Sequence, residues 1–372
     1  MFVAEIKSTL KQVLRKLLLP VLYIFYYRPN KNKIRVTRDG KPLKPGISAV
    51  VAAKDEEYTI GMCLESLVEV ADQVICIDNG STDQTLKLMY AFKEKYGKQL
   101  EIEILEMPGA LLGDCREAGL KHTKHEWHLR WDSDMICKTL GSEDMRALRK
   151  KILEDPHPRA IQLPRTNLMG DLHHTNGKTE LIVDPGEPIL ISFGRDIFYK
   201  EYGKFDAIRV PFYYQQVKES KRYYFHLSGL KSANNLLHRW FYFEWRNEVN
   251  KYKDKGETVP AEVEDFGSYK TAFALDRLGT TEPMSIKYRF LRQFTHALAR
   301  YDASKYGDYP KIVADKIATG DSRFEVIYNN GKPFLRMDKN DPEFTAYKPT
   351  NEDVNWDVEA YFERMKKLYP HT

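Results

Sequence analysis

The chain has 372 residues, 42% of them hydrophobic and 30% charged, with a formal net charge of +5. These values exclude gross disorder, a collagen-like repeat and a coiled coil, and the length fits two domains or one core with a long appendage. The charge is uneven: residues 1–45 hold eleven Lys or Arg against Glu5 and Asp39, or +9, leaving the rest of the chain at −4. A mildly acidic body argues against nucleic-acid binding by the fold itself.

The four cysteines, Cys63, Cys76, Cys115 and Cys137, show no CxxC spacing. They read as reduced, mostly buried thiols of an intracellular protein. A core of this size needs no disulfide.

In the first segment Val3, Ile6, Leu10, Val13, Leu14 and Leu17 recur at helical spacing, and Lys7, Lys11 and Arg15 share another face. The apolar run Leu17 to Tyr27 is too short to span a membrane, which takes about 20 residues, and it contains Pro20. No small-residue cleavage site follows it. Residues 1–30 therefore read as a basic amphipathic anchor on an anionic membrane surface, or as a helix packed on the body. The expected location is cytoplasmic, peripheral at the cytoplasmic face of a membrane.

From Ile47 the pattern alternates strands and helices. ISAVVAA reads as a strand buried on both faces and ends at Lys54-Asp55-Glu56-Glu57. Ile60, Cys63, Leu64, Leu67 and Ala71 form a helical stripe. QVICID is a second buried strand. It stops at Asn79-Gly80, and Ser81, Thr82 and Asp83 suit the caps of a following helix. LEIEIL predicts a third strand and residues 110–123 a helix. EWHLRW predicts a fourth strand, with Trp127, Leu129 and Trp131 alternating against His128 and Arg130, and it runs into Asp132-Ser133-Asp134.

This order implies a parallel α/β sheet, whose ligands bind beyond the carboxyl ends of the strands. KDEE, DNGSTD and DSD all fall at such ends. Asp132 and Asp134 are spaced i, i+2, so both carboxylates can face one site and hold Mg²⁺ or Mn²⁺ together with a diphosphate. Asp78 can accept from a base imide or a ribose hydroxyl, or cap the next helix. Asn79-Gly80-Ser81 is formally a glycosylation sequon, but a glycan in this turn would block the proposed pocket. His122, His125 and His128 lie on different elements and are not expected to converge on a metal. The aromatics Trp240 to Trp245 could stack on sugars, but at helical spacing they read more readily as core. FEVIYNNGKPFLRM predicts a hairpin around Asn330-Gly331, and DVEAYFERMKKLY a closing helix.

Residues 47–85, with KDEE, MCLES and DNGSTD in order, resemble the opening of a family 2 glycosyltransferase of the GT-A fold. DCREAGLKHTKHEWHLRWDSDM then resembles the family's Ala-Arg-Asn helix and the strand carrying its DxD. The match is closest to the branch of lipopolysaccharide-core sugar transferases. It is good over residues 46–136, thinner to about 232, and absent beyond.

The resemblance implies a mostly parallel sheet flanked by helices in a catalytic domain at 46–232. The residue pattern outside it gives a basic amphipathic N-terminal segment at 1–45 and a helix-rich C-terminal extension at 233–372 with a hairpin near 324–337. The resemblance places Ala53, Lys54 and Glu56 near the nucleobase, Asp78 on the nucleoside, Arg116 near the diphosphate, Asp132 and Ser133 on the donor, and Asp132 and Asp134 on Mn²⁺ or Mg²⁺. A late family histidine that completes the metal shell falls on His226. The base that deprotonates the acceptor falls on Glu187, with Asp184 the runner-up and Asp171 a weaker third. Asp55 replaces the usual Asn, and Glu117 the Asn after Arg116.

The expected activity is inverting, metal-dependent transfer of a sugar from a nucleotide-sugar donor, UDP-linked, to a hydroxyl of a glycan or glycolipid. Two alternatives stay open. One is a catalytically inactive sugar-binding or scaffolding module. The other is a DxD phosphohydrolase, which would want its first Asp on the first strand. The chain has no GxxxxGK[ST], so a P-loop enzyme is excluded.

Overall fold

The computed structural model describes residues 28–155, 157–176, 188–202, 205–320 and 322–368, together with Phe25. The N-terminal amphipathic pattern, Asp184 and Glu187 lie outside the described residues. The chain divides into two compact units, residues 1–165 with 182–224, and residues 166–181 with 225–372.

The first unit contains the alternation predicted from the sequence. Its leading half runs β1 (Lys44–Ala53), α1 (Ile60–Leu67), β2 (Gln73–Asp78), α2 (Thr85–Tyr96), β3 (Glu101–Glu106), α3 (Leu112–His122) and β4 (His125–Asp132). It continues with α4 (Met145–Leu153), β5 (Arg159–Gln162), β6 (Leu190–Ser192), β7 (Phe198–Tyr202), β8 (Phe205–Arg209) and β9 (Gln215–Lys218). Seven strands form one sheet in the order β9-β5-β6-β4-β1-β2-β3. Only β6 runs against the others.

Side-chain alternation along the strands builds two cores. On one face Ile47, Ala49, Val51 and Ala53 of β1 meet Val74 and Cys76 of β2, under Leu64 and Leu67 of α1, Met89 and Phe92 of α2, and Leu148 and Ile152 of α4. On the other, Val50, Ala52, Ile75 and Ile77 pack with Cys115 of α3. Helices on both faces explain why β1 and β2 read as unbroken apolar runs. All four cysteines are buried free thiols.

In β4 both faces are buried, although the sequence alternates apolar with polar there. Both faces of the strand are packed, and His128 is covered as fully as Trp127 and Trp131. A polar residue on such a face must find a partner inside, and His128 Nε2 lies 3.1 Å from the Tyr199 hydroxyl of β7.

The second unit is mainly helical. Its core gathers Leu236 and Phe241 from α5 (Ala233–Lys255), Phe273 and Leu278 from α6 (Phe266–Leu278), and Ile286, Phe290 and Leu291 from α7 (Pro283–His296). Trp240 packs against Phe273 and Phe290, the core role favoured from spacing, whereas Tyr242 and Phe243 are exposed. The predicted hairpin is Phe324–Asn329 paired with Lys332–Asp338. Asn330 and Gly331 both take positive φ at its tip, as a two-residue hairpin turn of matching twist requires. Residues Val358–Leu368 form the closing helix.

Gly119 marks the closest approach of α3 to the sheet. A Cβ there would run into the Val50 side chain and sit 3.2 Å from Ile77 Cδ1. Alanine is better than glycine in a helix by about 1 kcal/mol, but overpacking costs about 1–3 kcal/mol. Gly119→Ala should therefore lower the urea midpoint, and Gly119→Val should lower it further. An unchanged midpoint for both would mean that α3 can lift off the sheet freely.

Candidate active site

The register of the parallel strands aligns the polar ends. Ala53 of β1 stands opposite Asp78 of β2 and Ala52 opposite Asp132 of β4, while Asp78 stands opposite Glu106 of β3. Asp78 and Asp132 thus flank the end of the central strand.

The loops after β1 and β2 are joined through side chains. Asp55 N–H donates to Ser81 Oγ (3.0 Å), Glu56 N–H to Thr85 Oγ1 (2.7 Å) and Glu57 N–H to Asp83 Oδ2 (3.1 Å). In return Asp55 Oδ1 accepts from Thr82 N–H at 2.7 Å. This corrects the reading of Ser81 and Thr82 as helix caps. The helix begins only at Thr85, and their hydroxyls are spent on the neighbouring loop. Asp83 does both, since its other oxygen accepts from Thr85 N–H at 2.9 Å. Asp55 takes positive φ in this loop, which Asp and Asn tolerate better than most residues. Its carboxylate is held by Thr82, so the departure from Asn adds a loop contact.

Asp78 is buried, and its two oxygens differ. Oδ2 accepts from the Gly80 and Ser81 N–H groups at 3.0 and 3.1 Å, closing the turn. Oδ1 is buried and accepts no hydrogen bond among the described residues. A buried carboxylate oxygen without a donor is costly, and it fits a site completed by a ligand's N–H or O–H. Asn79 donates from Nδ2 to Ala110 O at 2.9 Å, so the sequon's acceptor nitrogen is already engaged.

Arg116 projects from α3, is almost fully buried, and pairs with Asp132. Tyr199 lies beside its guanidinium, with the ring centroid 6.0 Å away. Arg116 therefore orients the first acid of the DSD turn. Glu117 accepts from Tyr199 N–H at 2.9 Å and pairs with Arg38, so its carboxylate anchors β7. Burial pushes the Cys63 thiol well up, so it stays protonated and donates to Asp132 O at 3.4 Å. Trp131 Nε1–H donates to Met135 O at 3.0 Å across the same turn. Of these supports the sequence names only Arg116 as a site residue; Cys63 and Trp131 stand out there as apolar positions alone.

Ser133 and Asp134 are buried in the turn. Half-buried His226 lies on the strand Tyr224–Gly229. Asp132, Asp134 and His226 each offer one ligand atom, and those atoms lie within 4.8 Å of one another. Two carboxylates and an imidazole are a donor set suited to Mn²⁺ or Mg²⁺. His122, His125 and His128 do not join such a group. They face Glu103, Ser48 and Tyr199 respectively.

Lys54 is exposed, and Glu56 Oε2 accepts from Thr59 Oγ1 at 3.1 Å. Asp171 is committed elsewhere. Its Oδ1 accepts from His173 N–H (2.7 Å) and faces His174 Nδ1 (2.5 Å), and its Oδ2 accepts from Val326 N–H (3.0 Å). Burial alone would raise that carboxyl, but these bonds hold it below the usual range. That removes it as a spare base.

Residues 48–155 match the family model described as glycosyl transferase family 2. Over 102 residues the chain is 34% identical to a poly(ribitol-phosphate) beta-glucosyltransferase of Bacillus spizizenii, a match covering 26% of this chain and 16% of that protein. Among solved structures, S. aureus TarS 1-349 is 16% identical with a TM-score of 0.36, covering 78% of this chain and 98% of that one. A mannosyltransferase, PcManGT from Pyrobaculum calidifontis, solved with GDP-Man and Mn²⁺, is 15% identical with a TM-score of 0.37 and covers 98% of each chain. Residues 48–155, within the first unit, are thus similar to a family 2 glycosyltransferase domain.

Burial lowers His128 to about 3, with Arg116 and Arg130 adding to the effect. The folded state holds a neutral imidazole where the unfolded chain takes up a proton near its ordinary value of about 6.5. This contribution is complete above about 6.5 and is lost as pH falls toward 3. His128→Gln should flatten the acid limb of the stability–pH curve measured by urea unfolding. An equally steep limb would assign the acid sensitivity to other groups.

Proposed function

We propose that the protein is an inverting, metal-dependent glycosyltransferase that moves a sugar from a UDP-linked donor to a hydroxyl of a glycan or glycolipid acceptor. The observations that carry this reading are the Asp132, Asp134 and His226 group and, on the other side of the end of β1, the buried oxygen of Asp78 that accepts no hydrogen bond among the described residues. The family match and the 34%-identical glucosyltransferase segment support it.

Asp132, Asp134 and His226 would hold Mn²⁺ or Mg²⁺, which when bound neutralises charge developing on a leaving diphosphate. Asp78 Oδ1 accepts from the nucleoside, at a base imide or a ribose hydroxyl. Ala53, Lys54 and Glu56 border the base. Arg116 keeps Asp132 in place and adds positive charge behind it. Ser133 lies between the two acids, against the donor. Glu187 takes the acceptor hydroxyl's proton, with Asp184 the alternative. The freed oxygen attacks the anomeric carbon opposite the diphosphate, so configuration inverts. Residues 1–30 carry the enzyme to an anionic membrane surface at the cytoplasmic face.

Asp134→Ala should lower transfer by about 10³-fold, since the cation's charge stabilisation is worth several kcal/mol. EDTA should do the same to the parent, and Mn²⁺ or Mg²⁺ should restore the parent only. Full transfer in EDTA would overturn the metal assignment. Glu187→Gln should lower transfer by about 10²- to 10⁴-fold and leave donor binding in place, because proton-transfer catalysis contributes that much. Its acid limb in the pH–rate profile should also disappear. A crippled Asp184→Asn beside an active Glu187→Gln would move the base to Asp184.

A further inference from the structure

A cavity of about 360 Å³ opens on the first unit, away from the strand ends in sequence. Asn30, Lys33, Phe198, Arg209, Phe212 and Tyr213 are among the residues that line it. Phe198 stands opposite Arg209 across the β7–β8 pair. Its neighbour Tyr199 is buried, so strand alternation turns Phe198 and Lys200 outward together. Phe198 is 44% exposed and Phe212 is 49% exposed. Phe198 and Phe212 thus bring two exposed apolar rings together at a cavity whose lining mixes apolar and charged side chains, and clustered apolar surface with a polar surround marks an interaction site.

The charge of the surrounding chain selects the occupant. Residues 28–33 and 195–213 carry seven Lys or Arg (Arg28, Lys31, Lys33, Arg195, Lys200, Lys204, Arg209) against three acids (Asp196, Glu201, Asp206). A second copy of the chain would set like charge against like, whereas an anionic surface is complementary. Lys33 pairs with Asp196 at 3.2 Å, but both side chains are over a third exposed, so the pair is weak and can exchange partners. The position along the chain agrees. Residues 28–33 directly follow the basic, apolar run that ends at Tyr27, and Asn30 and Lys33 line the cavity.

We propose that this face is a second membrane contact. Phe198 and Phe212 enter the headgroup boundary of an anionic bilayer, and Lys33 and Arg209 meet lipid phosphates. The inference rests on the anchor reading of residues 1–30 for its orientation, and makes the body itself part of the contact.

The test uses the full chain and sedimentation with phosphatidylcholine vesicles, with and without phosphatidylglycerol. Phe198→Ser combined with Phe212→Ser should lower partitioning onto the anionic vesicles by about tenfold or more, with hydrolysis of a soluble nucleotide sugar unchanged. Arg209→Glu should weaken binding to anionic vesicles and not to neutral ones, and it serves if the double variant unfolds. Lys7→Glu, Lys11→Glu and Arg15→Glu combined test the anchor separately. If that triple variant loses binding while Phe198→Ser with Phe212→Ser and Arg209→Glu both bind like the parent, the body face is overturned and the anchor stands. If the aromatic pair matters and the triple does not, the face stands and the anchor reading falls. Self-association that is lost in the aromatic double variant, with vesicle binding intact, would make the occupant a second copy and overturn the proposal.

Discussion

Parallel pairing on both sides of β1 is the constraint from which the rest of the site follows. A parallel strand cannot turn back on its neighbour, so each chain segment leaves the sheet at the same end and returns through a helix. The one-to-one register then sets Asp78 and Asp132 on either side of the end of β1. Their neighbouring loops have no ladder to hold them. Side chains take over that task, through Ser81, Thr85 and Asp83 for one loop and Arg116, Cys63 and Trp131 around the other turn. The site is positioned by the sheet and fixed by these short polar contacts.

That division decides what could be read from the sequence. The strands were legible because burial on both faces forces continuous apolar runs, as in ISAVVAA and QVICID. The acids were legible because they end those runs. The turn at Asn330-Gly331 was legible because few residue pairs accept two positive φ angles. Partnerships across the fold were not legible. Ser81 and Thr82 resemble helix caps locally, and only the proximity of the 54–57 loop redirects them. His128 resembles a polar alternation, and only Tyr199 of β7, arriving from far along the chain, shows that its face is covered.

The two departures from the family pattern illustrate the same limit. By residue type alone, Asp55 and Glu117 put negative charge where the family has Asn. In the fold Asp55 is tied to Thr82, and Glu117 to Arg38 and the Tyr199 amide. Each carboxylate has local donors, so the change of residue type alters loop and strand anchoring. A residue's sign is written in the sequence, but the direction in which it points is set by partners that are distant along the chain.

The interleaving of the two units has a consequence for biosynthesis. β4 borders β1 on one side, and its other edge is closed only by β6. Between them the ribosome must deliver β5 and the stretch 166–181, which belongs to the other unit. At about 5–20 residues per second this leaves the β4 edge, with Trp127 and Leu129, without its final partner for a few seconds. An open hydrophobic edge of that kind is a template for pairing with other chains. The nascent protein passes through a window in which chaperone capture competes with aggregation, and the late arrival of three residues, Leu190–Ser192, closes it.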